Sequence, residues 1–357
     1  VCYKGIATGR QPEFLPRLML NLRKCAVQWL DQIVIRLAAN RMPPSRGLEP
    51  HLDEAMELIG SAGMFPGRVE AANLELMPEV TPNGVMPFRF VSSVRTPFSR
   101  NNTAHGVLQL AHAEGWNRPA VILLHGWNDS LSYNIRLPQM ARLLAGLGIN
   151  SARLTLPYHF ARQPESGMPV RNFLSEDLLR TAEATQQAVA DIRALAGWLR
   201  KQGSPEVGVW GVSLGGWLGG LALCTDPGID FGVFVAPAAR MGQLLREIEF
   251  ARPLRDALQG RNIDLTGLNL ASKRPTQDQQ GRILLVKSEY DRFIAPDSIE
   301  ELWESWGQPE IWRLPHGHIS VLCSPRMFRR SVEWIKTRGI RAPIPPISGS
   351  CGPRQTR

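Results

Sequence analysis

Val207-Gly-Val-Trp-Gly211-Val-Ser213-Leu-Gly215-Gly216 is a short apolar run that ends in Gly-x-Ser-x-Gly. This is the sequence form of a strand that delivers a serine into a sharp turn, with a helix starting at once behind it. Glycine is needed at both flanks because a Cβ there would collide with the passing helix. The pentapeptide alone is a weak signal, since Gly and Ser are both common. Its context strengthens it: a β-branched run stands before it, and the helix-compatible Leu214-Gly-Gly-Trp-Leu-Gly-Gly-Leu-Ala-Leu223 follows.

A serine hydroxyl is a poor nucleophile until a base takes its proton, so an acid and then a histidine are expected further along the chain. Arg282-Ile-Leu-Leu-Val-Lys287 reads as a buried strand, and Asp291 leaves its carboxyl end in Ser288-Glu-Tyr-Asp291-Arg-Phe-Ile-Ala-Pro296. Ligand-facing groups of an open parallel sheet lie at that edge. Asp291 is therefore the expected acid, with Glu289 as competitor and a helix-capping or solvated loop carboxylate as the plain alternative. The next strand-like run, Glu310–Leu314, leads into Pro315-His316-Gly317-His318. A histidine placed after a glycine and just before a helix can hang toward the serine, which favours His318 over His316. No ligand set with metal spacing accompanies the two histidines, so neither a metal nor another cofactor is expected.

Acyl-bond hydrolysis also requires donors aimed at the developing oxyanion. The backbone N–H of Leu214, next to the serine, is one. The other is expected from Trp127, in His125-Gly126-Trp127-Asn128-Asp129 after the strand Ala120–Leu124.

These stretches, with Leu156-Pro-Tyr-His159, Leu265-Thr-Gly-Leu-Asn-Leu270 and Gly317-His-Ile-Ser320, resemble the α/β-hydrolase superfamily, and within it the α/β-hydrolase-domain-containing protein 18 family. The resemblance runs over about residues 85 to 337 and implies a Ser213, Asp291, His318 triad in an esterase or lipase. His316 stands where that branch is expected to carry glycine, and His125-Gly126 is more like ordinary esterases.

The expected architecture is an α/β-hydrolase fold, a mostly parallel twisted sheet with helices on both faces, extended by N-terminal helix and a small helical lid. Its divisions are 1–84 for the helical extension, 85–341 for the hydrolase domain with 238–280 as lid insertion, and 342–357 as a disordered Pro/Gly/Ser-rich tail. Residues 87–96 and 106–111 read as an antiparallel hairpin, and 120–124, 150–156, 206–212, 230–235, 282–287 and 310–314 as parallel strands. Residues 173–200 have the period of a long helix. Tyr158, His159 and Phe160 on one rim loop, with Leu244 and Ile248 on the lid, are expected to line an apolar substrate pocket.

The segment 14–37 is helical in period, with Leu15, Leu18, Leu22, Cys25, Ala26, Leu30 and Val34 on one side. Arg23, Lys24 and Asp31 break any apolar span of membrane-crossing length. Such a helix either covers the core, the preferred expectation, or makes peripheral contact with an anionic membrane. The net charge of +9 is mostly dispersed arginine without a reading helix or stacking motif, so nucleic acid is not an expected partner. Five cysteines without CxxC spacing suit free thiols in a reducing, cytoplasmic setting. The expected substrate is a small-molecule ester of short to medium acyl chain, or a lipid.

Overall fold

A computed structural model describes residues 14–40, 51–61, 64–77, 84–112, 115–165, 173–175, 177–247, 249 and 252–344. The tail from 345 onward and Ile248 lie outside the described residues. The strands are β1 Glu75–Leu76, β2 Val85–Val91, β3 Thr103–Gln109, β4 Ala120–Leu124, β5 Asn150–Leu154, β6 Val207–Val212, β7 Phe231–Val235, β8 Ile283–Ser288 and β9 Glu310–Leu314. They form one nine-stranded sheet in the order β1-β2-β3-β5-β4-β6-β7-β8-β9. β1, β2 and β3 pair antiparallel, as do β3 and β5, while every pairing from β5 through β4 to β9 is parallel.

The helices are α1 Phe14–Asn40, α2 Leu52–Gly60, α3 Leu137–Gly146, α4 Leu178–Lys201, α5 Leu214–Thr225, α6 Met241–Glu247, α7 Arg252–Leu258, α8 Gln277–Gln280, α9 Pro296–Ser305, α10 His318–Leu322 and α11 Pro325–Trp334. Strands buried on both faces read as continuous apolar runs, and β4, β6 and β7 are buried at every residue. Ile122 and Leu124 face a core completed by α4, α5 and α9, whereas Val121 and Leu123 face one completed by α3 and α11. Alternation along a single strand thus feeds both layers.

Two boundaries differ from the periodic reading. The first hairpin strand ends at Val91 rather than 96 and the second begins at Thr103 rather than 106, because Thr96, Asn101 and Asn102 bond one another and turn the chain between β2 and β3. The long helix starts at Leu178 rather than 173, because Asp177 accepts the Leu179 N–H as N-cap.

The N-terminal helix departs further from expectation. Its expected apolar side carries Leu22, Cys25, Ala26 and Leu30, all exposed, while Asp31, Ile35 and Ala39 are buried. The helix is rotated so that a carboxylate, not the leucine stripe, meets the domain. The physical reason lies in what Asp31 binds, described below.

Candidate active site

Parallel β-strands end at one edge, and the predicted site residues follow the ends of β4, β6, β8 and β9 there. Ser213 sits between β6 and α5 at φ 53, ψ −115, a conformation strained for a residue with a Cβ. The Val235 carbonyl, accepting the Ser213 N–H at 2.9 Å, helps to hold it. The neighbouring glycines are a matter of space: a Cβ on Gly215 would stand 2.5 Å from the His125 carbonyl oxygen, and one on Gly211 would stand 2.3 Å from that of Gly215.

His318 opens α10 and is buried. Its Nδ1 lies 2.7 Å from Asp291 Oδ2 and its Nε2 lies 3.0 Å from Ser213 Oγ. With the proton on Nδ1 donated to Asp291, Nε2 is free to accept from the serine hydroxyl. Asp291 Oδ1 accepts the N–H groups of Phe293 and Ile294, each at 2.8 Å, so the carboxylate is fixed at both oxygens. The Phe293 ring stacks on the imidazole at 4.7 Å. Burial alone would push the His318 pKa down; the Asp291 carboxylate, by charge and hydrogen bond, with Asp31 and Asp129 beyond it, outweighs burial and raises it. The competitors are engaged elsewhere. His316 Nδ1 is 3.1 Å from Ser320 Oγ, and Glu289 pairs with Lys287 at 3.4 Å.

Leu214 is the first residue of α5, where an N–H has no intrahelical acceptor. Trp127 is partly buried, in a turn ahead of Asn128 at φ 50. The turn passes close to the serine: a Cβ built on Gly126 would lie 3.6 Å from that of Ser213.

Tyr158 and His159 are buried, and only Phe160 is partly exposed, stacked on Tyr133 at 4.3 Å. Tyr158 and Phe160 both have positive φ, and this irregular backbone turns Tyr158 against Phe98 and His159 toward His125. Burial, the largest influence, takes the His159 pKa down to about 4, so its ring is neutral near pH 7. Arg162 anchors the same loop, donating to buried Asp191 at 2.8 Å and to the Asn101 and Thr155 carbonyls. In the 238–280 segment, α6 and α7 bury Met241, Leu245, Leu254 and Leu258. Leu244 is partly exposed beside a small groove that also includes Phe293, on whose ring His318 stacks. Among the described residues no cluster of His, Cys, Asp or Glu is arranged to hold a metal ion.

Sequence reasoning missed Asp31. Its carboxylate is buried and accepts three backbone N–H groups: His318 at 2.7 Å and Arg292 at 3.1 Å on Oδ2, and Ile319 at 2.9 Å on Oδ1. The only sequence signal was a single acid within a helix of otherwise apolar, basic and amide side chains from 14 to 40.

The sequence profile of the Alpha/beta hydrolase family matches residues 121–335. Two similar relatives come from Mycobacterium tuberculosis. Uncharacterized protein MT2702 is 30% identical over 357 residues, covering 91% of this chain and 84% of the relative. Uncharacterized protein Rv2627c is 30% identical over 243 residues, covering 66% of this chain and 57% of the relative. Among solved structures, an acetyl xylan esterase from Paenibacillus sp. R4 superposes with TM-score 0.51 at 14% identity, covering 83% of this chain and 98% of that one. That likeness concerns the fold.

Proposed function

The chain belongs to the Alpha/beta hydrolase family, and from that premise we propose that it is a serine hydrolase cleaving carboxylic esters through an acyl-enzyme. The observation that carries this reading is the continuous chain of contacts from Ser213 Oγ through the His318 ring to Asp291. In the first half-reaction Ser213 Oγ attacks the acyl carbonyl while its proton passes to His318 Nε2. The oxyanion is received by the N–H groups of Leu214 and Trp127. His318 then returns the proton to the departing alcohol, leaving an acyl group on Ser213. In the second half-reaction His318 takes a proton from water, the hydroxide attacks the acyl carbon, and the acid leaves as Ser213 recovers its proton. Asp291 holds the Nδ1 proton throughout and stabilises the imidazolium.

A fluorophosphonate should label Ser213 in the folded protein, and Ser213→Ala should abolish both labelling and turnover of aryl esters with its thermal midpoint little changed. Turnover in the variant comparable to that of the parent protein would refute the serine mechanism.

For substrate, the reading is a short- to medium-chain acyl ester in solution. The groove beside Phe293 and partly exposed Leu244 is small, and each methylene accommodated there contributes only about 0.8 kcal/mol. A second reading, a lipid acyl ester met at a membrane surface, is favoured by α1. Met19, Leu22, Trp29, Leu30 and Leu37 are exposed on it, with exposed Arg23, Lys24 and Arg36 nearby. No described helix is long and apolar enough to cross a membrane, so such contact would be peripheral. A chain-length series of aryl esters, with and without anionic vesicles, separates the readings: a peak at short to medium chains without vesicle activation supports the first.

A further inference from the structure

We infer that Asp31, on the N-terminal helix, is a positioning residue for the base and the acid, so that the extension completes the active site; this rests on the serine-hydrolase reading above. Helix α10 is only five residues long and begins at the base itself. Its preceding residue, Gly317, has no side chain with which to cap the first N–H groups. Those of His318 and Ile319 are capped instead by a carboxylate from an element some 287 residues away in sequence. The same carboxylate takes the N–H of Arg292, the residue after Asp291. One side chain thereby ties the backbone of the base to the backbone adjoining the acid.

Gly317 belongs to this device. A Cβ there would stand 2.7 Å from Asp31 Oδ2, so the absence of a side chain is what admits the carboxylate. A second contact joins the same elements, with Lys24 Nζ 5.7 Å from the centre of the Tyr290 ring. The rotation of α1 now has a cause. Three backbone N–H groups beside the base and the acid need an acceptor, and this rotation brings the Asp31 carboxylate to them.

Asp31 also acts on charge. Burial raises its own pKa, opposed by the Ile319 and His318 amides, then raised again by Asp291 and lowered by the His318 ring. Its negative charge is one of those holding the His318 pKa up. The groups facing His318 are Asp291 on the loop after β8, Asp31 on α1, Asp129 on the loop after β4 and Ser213 at the elbow; Arg23 and Lys24 of α1 lie toward His316 and Tyr290. Because the base works only when neutral, the acid limb of kcat/KM follows the His318 pKa. Removing one carboxylate that raises it moves the limb to lower pH.

The test compares the full chain with Asp31→Asn, Gly317→Ala and Ser213→Ala, measuring kcat, KM and kcat/KM against pH on an aryl acetate, together with fluorophosphonate labelling and circular dichroism. Asp31→Asn keeps the side-chain volume and an acceptor oxygen. It should lower kcat by about tenfold to 100-fold with little change in KM, because the base is misplaced rather than the substrate weakened. Its acid limb should move to lower pH, a displacement that loss of a merely structural contact would not produce. Gly317→Ala retains every charge but pushes the carboxylate off its donors, and should move kcat and the limb in the same directions. Should Asp31→Asn fail to fold, Gly317→Ala decides. If kcat and the limb of the folded variants match the parent while Ser213→Ala is inactive, the positioning role is wrong and the serine mechanism stands. If Ser213→Ala retains turnover, both fall.

Discussion

At the scale of single residues, the two histidines bracketing Gly317 pose the sharpest choice. His318 contacts both Ser213 and Asp291, whereas the His316 ring meets the Ser320 hydroxyl. His318→Ala should therefore lower kcat by about 10³-fold or more, as loss of a triad member does, while His316→Ala costs far less. Steady-state rates of both variants on one aryl ester check this, and reversed losses would reassign the base. The meeting of Ser213, Asp291 and His318 was legible because each carries a local signal, a strand end followed by a turn and a helix, and the sheet then brings the ends together. Asp31 was not legible, because its meaning lies in backbone N–H groups more than 250 residues away, and backbone donors leave no mark in a sequence. The inward turn of the loop at Tyr158 and Phe160 was not legible for a related reason: the positive φ that makes it is not written in its side chains.

At the scale of elements, the loop after β5 is held by a buried charge. Arg162 and Asp191 are both almost wholly inaccessible, and the guanidinium also bonds the Asn101 carbonyl, so the pair links this loop to α4 and to the β2–β3 connection. Burial pulls the Arg162 pKa down and pushes the Asp191 pKa up, which marks the desolvation the pair withstands. Arg162→Leu leaves the buried Asp191 carboxyl without its cation, and a broken buried pair costs about 3–5 kcal/mol. Urea unfolding should show a midpoint well below that of the parent; a midpoint within error would mean that the loop is held by packing alone. The parallel strands were legible to within a residue or two because they are buried on both faces and so continuously apolar. The start of α4 and the end of β2 were less so, since both are set by side-chain bonds of Asp177, Thr96 and Asn102 that periodicity does not register.

At the scale of the whole molecule, α1 has two faces with different consequences. The inward face carries Asp31; the outward one carries Met19, Leu22, Trp29, Leu30 and Leu37 beside basic side chains. Cutting the chain at Arg41 therefore removes two things at once and cannot isolate a membrane role. On the positioning argument, the truncated protein should lose turnover of soluble esters as well as any response to vesicles. Substitution on the outer face alone is the discriminating experiment. Trp29 is 68% exposed and Leu22 is 61% exposed, and surface changes of this kind alter stability by about 0.5 kcal/mol or less. Trp29→Glu with Leu22→Glu should thus keep kcat on a soluble aryl acetate within about twofold of the parent, because Asp31 still reaches His318 and Arg292. With anionic vesicles and long-chain esters, the lipid-surface reading expects the parent to be activated and this variant not to be. Equal rates for parent and variant on vesicles would leave the outer stripe without a role in catalysis at lipid surfaces, and the helix would then serve the site through its inward face alone.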